Sequence, residues 1–368
     1  MSQREEGREE GRGEGRGEGK EEGKYLALST RHIYFYGYRP ASQRLPTFLF
    51  LHDFPCTSTI WNKVVEHLLG FGFGVLRPDL LGFGKTSKPT DLHDYSLRKM
   101  SSEMVEILAH HQLKSVIGVG HGMGTHLLAR MWWYYPQYLS GLAFMGAGYI
   151  LPIRLHMELM SKKVSQLQLH PSHYGGYWSF IASEEAAQLL NSNLAKIPSF
   201  LSIIYAKDQD LCNANLLPRG GLQQWIADGR YSPSKIFESE SDADMEISHS
   251  LFIAFMQHRF DAPLNWFKSI NRRIDDDHEE ALPKDRCIIS RPVDFLAGRY
   301  DALGRPDFIQ VFVEEGRQSG YLPLAAAYLL QKSSHWMMIE ESREVTIALG
   351  NLASRVMKDE AVFQPKQP

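Results

Sequence analysis

The chain has 368 residues, 43% of them hydrophobic, with a formal net charge of −3. That length allows one large domain or two smaller ones with a sizeable core, and the charge gives no electrostatic case for binding nucleic acid or an anionic membrane. The three cysteines, Cys56, Cys212 and Cys287, are far apart and odd in number. Neither a disulfide framework nor a zinc site is expected from them, and a cytoplasmic, reducing location is the reading. The N-terminus lacks an apolar signal core, no apolar run is long enough to span a bilayer, and Lys366-Gln367-Pro368 is not a peroxisomal tripeptide.

Residues Arg4 to Lys24 repeat Glu, Gly, Arg and Lys. Such a segment cannot offset its ordering entropy by burial, so residues 1–24 are expected to be a disordered tail. Ser29 to Tyr38 alternates as a strand does. Thr47 to Leu51 is an unbroken apolar run, as a central parallel strand requires. Trp61 to Leu69 reads as a helix and Phe73 to Arg77 as the next strand. Ser96 to His110 is a helix with Leu97, Met100, Met104 and Leu108 on one face. Ser115 to Val119 is a strand, Thr125 to Tyr135 a helix that stops before Pro136, and Leu139 to Met145 another strand. Strands alternating with helices imply a mostly parallel central sheet with helices on both faces.

From about Tyr149 the pattern becomes helical and aromatic-rich until Arg286, and the alternation resumes at Pro292 to Ala297. The predicted organisation is a core of residues 25–148 and 287–358, an inserted helical cap at 149–286 and a flexible tail at 359–368. Asp307 to Arg317 and Glu341 to Met357 read as helices, and Leu324 to Leu330 leads into Ser333-Ser334-His335. The charge-dense stretch Arg272 to Asp285 reads as an exposed connection between cap and core.

Gly120-His121-Gly122-Met123-Gly124 joins a strand to a helix through a tight turn, the context of a nucleophile elbow. Its central position, where a Ser, Cys or Asp would attack substrate, holds Gly122. An elbow keeps that residue at positive φ, which glycine adopts without penalty, so the replacement relaxes strain, deletes the attacking group and leaves a small void. Asp301 and His335 each follow a strand, at the sheet end where α/β folds place ligands, and in the chain order acid then histidine. A carboxylate on one imidazole nitrogen leaves the other free to act as a base. The loop His52-Asp53-Phe54-Pro55 follows the central strand, so the backbone N–H groups of Phe54 and Met123 are the oxyanion-hole candidates. Asp53 borders the same pocket. One reading has its carboxylate reaching the space left by Gly122; the other, expected on the usual behaviour of Asp in loops, has it facing a turn or solvent. His110, His111 and His126 lack the carboxylate or cysteine partners of a metal site, and no cofactor is expected.

Together these segments resemble the α/β-hydrolase superfamily and, within it, the epoxide hydrolases and their fungal members. Leu51 to Pro55 is similar to the family's H-G-x-P loop, Arg77 to Thr86 to its D-x-x-G-x-G-x-S segment, Gly120 to Gly124 to its G-H-D-W-G elbow, and Ser334-His335-Trp336 to its G-H-W. Gly176-Tyr177-Trp178, Phe200 to Tyr205 and Pro263 to Lys268 resemble its cap. The resemblance implies an elbow Asp that opens an epoxide into an alkyl-enzyme ester, two cap tyrosines that hold the epoxide oxygen, and a His–Asp pair that activates water. Carried over, Asp301, His335 and Tyr177 match. Phe267 stands at the second tyrosine, Gly122 at the nucleophile, Asp53 at the loop glycine and Met123 at the tryptophan. Trp178, Trp266, Phe267 and Trp336 are candidate pocket residues for a hydrophobic small-molecule substrate, with secondary metabolism implied by the fungal members. With no side chain at Gly122, the reading is non-covalent Asp301–His335 chemistry. An inactive binding protein and an epoxide hydrolase or esterase with a cryptic nucleophile are the alternatives.

Overall fold

The computed structural model describes residues 23–42, 44–151, 175–234, 236–239 and 241–363. The tail expected at 1–24 lies outside the described residues except for Gly23 and Lys24, as do part of the cap, 152–174, and residues 364–368 of the C-terminal tail.

Eight strands form one sheet: β1 (Gly23–Ala27), β2 (Ile33–Arg39), β3 (Thr47–Leu51), β4 (Gly74–Pro78), β5 (Val116–His121), β6 (Leu139–Met145), β7 (Val293–Gly298) and β8 (Ala325–Leu330), in the order β1-β2-β4-β3-β5-β6-β7-β8. β1 and β2 are antiparallel additions, and every pairing from β4 onward is parallel. The central strands β3, β5, β6 and β7 are buried along their whole length. Their residues are mostly apolar, and the glycines and few polar residues among them, such as Ser140 and Asp294, are buried as well, as strands covered on both faces require. β5 continues through His121, two residues beyond the apolar run, so the strand itself delivers the elbow.

Helices pack both faces. Leu97–His110 is capped by Ser96, whose hydroxyl accepts the Lys99 N–H, and it buries Leu97, Met100, Met104 and Leu108 as its periodicity predicts. It also buries Glu103, whose carboxylate accepts hydrogen bonds from the Tyr34 hydroxyl (2.7 Å) and the His32 ring (2.6 Å). The helix after the elbow runs Met123–Tyr134, and the last helix runs Ser342–Phe363, through the first residues of the expected flexible tail.

The described part of the segment expected to be a cap lies between β6 and β7. It holds the helices Gly176–Ile181, Glu184–Ser192, Lys196–Ile204, Gln209–Leu216, Gly221–Ala227, Asp242–His258, Asp261–Asn271 and Asp276–Glu280. Two sequence expectations change here and at the edge. Gly23 and Lys24 belong to β1, an exposed edge strand whose Tyr25 packs on Phe35 (centroids 5.1 Å apart). The stretch Arg272 to Asp285 is not merely an exposed connection. Asp275 is buried, and its carboxylate accepts the Leu97 N–H (2.7 Å) and the Ser96 hydroxyl (2.5 Å) at the start of the 97–110 helix. Glu279 is buried too and makes a two-pronged bond with Arg130, both contacts 2.9 Å, from the helix behind the elbow. Asp275 and Glu279 fasten this stretch to the core, while most of its other charged residues stay exposed.

Breaking one partner of such a pair strands a charge. Glu279→Ala is therefore expected to cost roughly 3–5 kcal/mol of stability, read as a lower urea midpoint. An Arg130→Met/Glu279→Leu double variant should lose much less.

Candidate active site

The elbow has the predicted geometry. Gly122 sits at φ 48° and ψ −112° between β5 and its helix, and its N–H donates to the Met145 carbonyl (3.0 Å). Gly124 allows the close approach of the β3 loop: a Cβ there would lie 2.2 Å from the Leu51 carbonyl oxygen.

Asp301 and His335 meet as expected. Asp301 accepts the Leu303 and Gly304 N–H groups on Oδ1 (2.8 and 2.7 Å), while its Oδ2 lies 2.9 Å from His335 Nδ1. Both side chains are buried. Arg299-Tyr300-Asp301 follows β7 and Ser334-His335 comes after β8, so the ends of adjacent strands deliver the pair.

Asp53 departs from its expected turn or solvent position. It is 6% exposed, and its carboxylate occupies the space beside Gly122. Asp53 Oδ1 accepts the Met123 N–H (2.6 Å), one of the two oxyanion-hole amides anticipated from sequence, and Oδ2 lies 3.1 Å from His335 Nε2. A Cβ on residue 122 would stand 2.1 Å from Asp53 Cγ. The void expected at Gly122 is thus filled by the carboxylate from the neighbouring loop, and only glycine at 122 leaves room for it.

The loop that carries Asp53 is held tightly. The Asp53 carbonyl accepts from His52 Nδ1 (2.7 Å) and from the Cys56 thiol (3.1 Å), while His52 Nε2 accepts the Leu80 N–H (3.0 Å). His52 is therefore the neutral Nδ1–H tautomer, and burial lowers its pKa in keeping with that. Burial and the nearby Asp53 charge push the Cys56 thiol well above its usual range, so it is inert as a nucleophile. The Phe54–Pro55 bond is cis.

His335 lies between two carboxylates. Burial alone would depress its pKa, but the charges and hydrogen bonds of Asp301 and Asp53 outweigh burial and push it up to about 10. For Asp53, burial opposes ionisation, but the hydrogen bond from His335, the neighbouring histidines and the Met123 amide hold its carboxyl below the usual range. The resting site is an Asp–imidazolium–Asp triad in which both ring nitrogens donate. Behind it, His121 donates through Nε2 to the His335 carbonyl (2.9 Å), and burial first, then the charge on His335, lower its pKa to about 4. Asp53, His121 and His335 present ligand-type atoms within 4.8 Å of one another. The His335 ring nitrogens face the two carboxylates and His121 Nε2 faces a carbonyl, while the buried His121 Nδ1 has no hydrogen-bond partner among the described residues.

A group whose folded pKa is raised stabilises the fold fully below its unfolded value, here 6.5, and that contribution is lost as pH rises through about 10. Unfolding free energy should therefore fall between neutral pH and about pH 10. A denaturant series across that range checks it, and Asp301→Asn should flatten the slope.

The cap supplies an aromatic wall. Tyr177 is 9% exposed, and burial, with the Asp53 charge added, raises its pKa well above the usual value. Phe267 is buried, with ring centroids 6.2 Å from Tyr177, 5.0 Å from Trp178 and 5.3 Å from Phe54. Of the other predicted pocket residues, Trp266 donates to the Leu81 carbonyl (2.7 Å) and Trp336 to the Ile204 carbonyl (2.8 Å). Both are almost wholly buried, which makes them braces between cap and core. Trp178 stays partly exposed, stacked on His126. Tyr205, which the motifs did not single out beyond the cap aromatics, donates its hydroxyl to the Pro55 carbonyl (2.9 Å) and stacks on Trp336 (4.2 Å).

The eight-stranded sheet, elbow, acid and histidine define an α/β hydrolase. The profile of the alpha/beta hydrolase fold family matches residues 46–342, and the chain belongs to that family. Within it the chain is epoxide-hydrolase-like. It is 22% identical over 321 residues to the epoxide hydrolase srdG of Neurospora crassa, covering 84% of this chain and 87% of that protein. It is 25% identical over 231 residues to the bifunctional epoxide hydrolase 2 of Sus scrofa, covering 62% of this chain and 38% of that longer protein. Among solved structures, an epoxide hydrolase from an endophytic Streptomyces superposes with a TM-score of 0.73 at 16% identity, over 92% of this chain and 96% of that one. No helix among the described residues is long and apolar enough to cross a membrane.

Proposed function

We propose that the protein is a hydrolase of epoxides on hydrophobic small molecules that uses Asp53 as its nucleophile. The observation that carries this reading is the Asp53 carboxylate beside Gly122, with Oδ1 on the Met123 amide and Oδ2 toward His335 Nε2. The resemblance implies Gly in the loop and Asp in the elbow; this chain has Asp53 in the loop and Gly122 in the elbow, an exchange that returns a carboxylate to the same space. The relatives named as epoxide hydrolases support the substrate class.

Asp53 Oδ2 attacks an epoxide carbon, the C–O bond breaks, and the Tyr177 hydroxyl protonates the leaving oxygen, giving an ester on Asp53. Esterification removes one of the two charges that keep His335 protonated, so its pKa drops and it sheds a proton that restores Tyr177. Neutral His335, oriented by Asp301, then takes a proton from water as that water attacks Asp53 Cγ. The tetrahedral oxygen forms at Oδ1, where the Met123 N–H stabilises it, and collapse breaks the bond from Cγ to Oδ2, the leaving alkoxide taking the proton that the water's oxygen still carries and departing as the diol. Epoxide and water are consumed, and the water's oxygen stays in the Asp53 carboxylate.

Direct base catalysis by His335 is less well supported, because the resting imidazole is already protonated and its Nε2 faces Asp53. The test is a single turnover in heavy-oxygen water, with protein in excess over a panel of aryl and alkyl epoxides. The peptide containing Asp53 should gain the heavy isotope. Turnover without label at Asp53, persisting in Asp53→Asn but lost in His335→Ala, would establish the non-covalent route instead. No turnover of any epoxide or activated ester would leave a binding protein.

A further inference from the structure

We infer that Tyr205 is a positioning residue: its hydroxyl, bound to the loop that carries Asp53, sets that carboxylate against His335. The inference rests on the proposed role of Asp53 for its kinetic consequence, but its geometric part stands alone.

An elbow nucleophile is fixed by the core, because strand and helix hold it from both sides. Asp53 instead sits on the loop after β3, and the cap grips that loop. The Tyr205 hydroxyl donates to the Pro55 carbonyl, two residues past Asp53, at 2.9 Å. Thr57 and Ser250 share a hydrogen bond at 3.0 Å. Phe54 is ringed by Phe200, Phe255, Phe260 and Phe267 of the cap, with centroids 5.3–6.3 Å away.

The same cap turn also holds the other half of the site. The Tyr205 ring stacks on Trp336 with centroids 4.2 Å apart, and Trp336 Nε1 donates to the Ile204 carbonyl at 2.8 Å. Trp336 follows His335 in the chain. Ile204 and Tyr205 therefore bridge the loop of Asp53 and the loop of His335, and the 3.1 Å contact between those two side chains lies across that bridge. Tyr205 is fully buried, so its hydroxyl has no exchange with bulk water to weaken the bond. A catalytic contact misplaced by about 1 Å loses up to ~10²-fold in rate.

Tyr205→Phe keeps the ring and its stacking and deletes only the hydroxyl. It is expected to lower kcat about 10- to 100-fold, with KM within about twofold of native, since ground-state binding is untouched. Followed by NMR, the His335 ring should titrate at lower pH than in native protein, moving toward its position in Asp53→Asn. Ser250→Ala, which cuts a second hydrogen bond between cap and loop, should shift the titration in the same direction by less. If Tyr205→Phe melts, titrates and turns over as native does, the positioning role is overturned. A rise in KM with kcat unchanged would overturn it too. Heavy-oxygen labelling of native protein separates the two claims. Absence of label at Asp53 with a shifted His335 titration in Tyr205→Phe sinks the nucleophile and keeps the positioning role. Label at Asp53 with an unshifted titration does the reverse.

Discussion

Asp53→Asn is expected to lower kcat/KM on any epoxide the native protein turns over by about 10⁴-fold or more, the scale on which a lone nucleophile's loss registers. The amide nearly matches the carboxylate in size and can still accept the Met123 N–H at 2.6 Å in the native site. The fold should therefore survive, and a far-ultraviolet spectrum and thermal melt would check that. The amide lacks the charge to attack and removes one of the two anions beside His335. The His335 titration should accordingly move down from about 10. The shift follows from removal of the charge alone, so the loss of activity with the fold preserved is the part that reports on attack by Asp53. Unchanged turnover in Asp53→Asn would eliminate the nucleophile assignment outright.

The second large effect concerns Gly122. Placing Asp there alone, which restores the elbow as the family resemblance has it, is expected to damage the protein. The new Cβ would stand 2.1 Å from Asp53 Cγ, and the backbone at φ 48° strains any residue with a side chain. Two carboxylates would also compete for one amide and one imidazolium. We expect roughly 3 kcal/mol or more of destabilisation from strain and overpacking, seen as a lower melting temperature, with no gain in rate. The reciprocal double variant, Asp53→Gly with Gly122→Asp, removes the clash. It should regain stability relative to Gly122→Asp alone and epoxide turnover relative to either single change. The non-additivity of that cycle measures the coupling between the two positions directly. Simple additivity would mean that the two side chains do not share one space.

Much of this was legible in the chain. The apolar runs of β3, β5, β6 and β7 state their own burial. The positions of Asp301 and His335 after successive strands are enough to bring them together, because parallel strands end at one edge. β1 is harder to see, because a strand at an exposed edge needs no apolar face and borrows its register from β2. The buried carboxylates Glu103, Asp275 and Glu279 also escape a sequence reading, since a charge is taken as surface until its partner is known. Tyr34, Leu97 and Arg130 lie at least 69 residues away from the carboxylates that they meet. Asp53 is the instructive case. Its two readings differ only in where one short side chain points, and that direction depends on the absence of a Cβ 69 positions downstream. Neither Asp53 nor Gly122 carries the message alone.

The overlap between Asp53 and any side chain at 122 constrains how such a sequence could have arisen. A lineage passing from one arrangement to the other by single replacements must visit one of two intermediates. With Asp at both positions, the carboxylates collide over one amide. With Gly at both, the chain folds without strain and has nothing to attack with. The second route preserves stability while catalysis lapses, so it is open only where loss of activity is tolerated for a time. Sequences related to this chain should therefore fall into two groups that rarely mix, Gly with Asp and Asp with Gly. Chains with Gly at both positions would mark the silent passage between them.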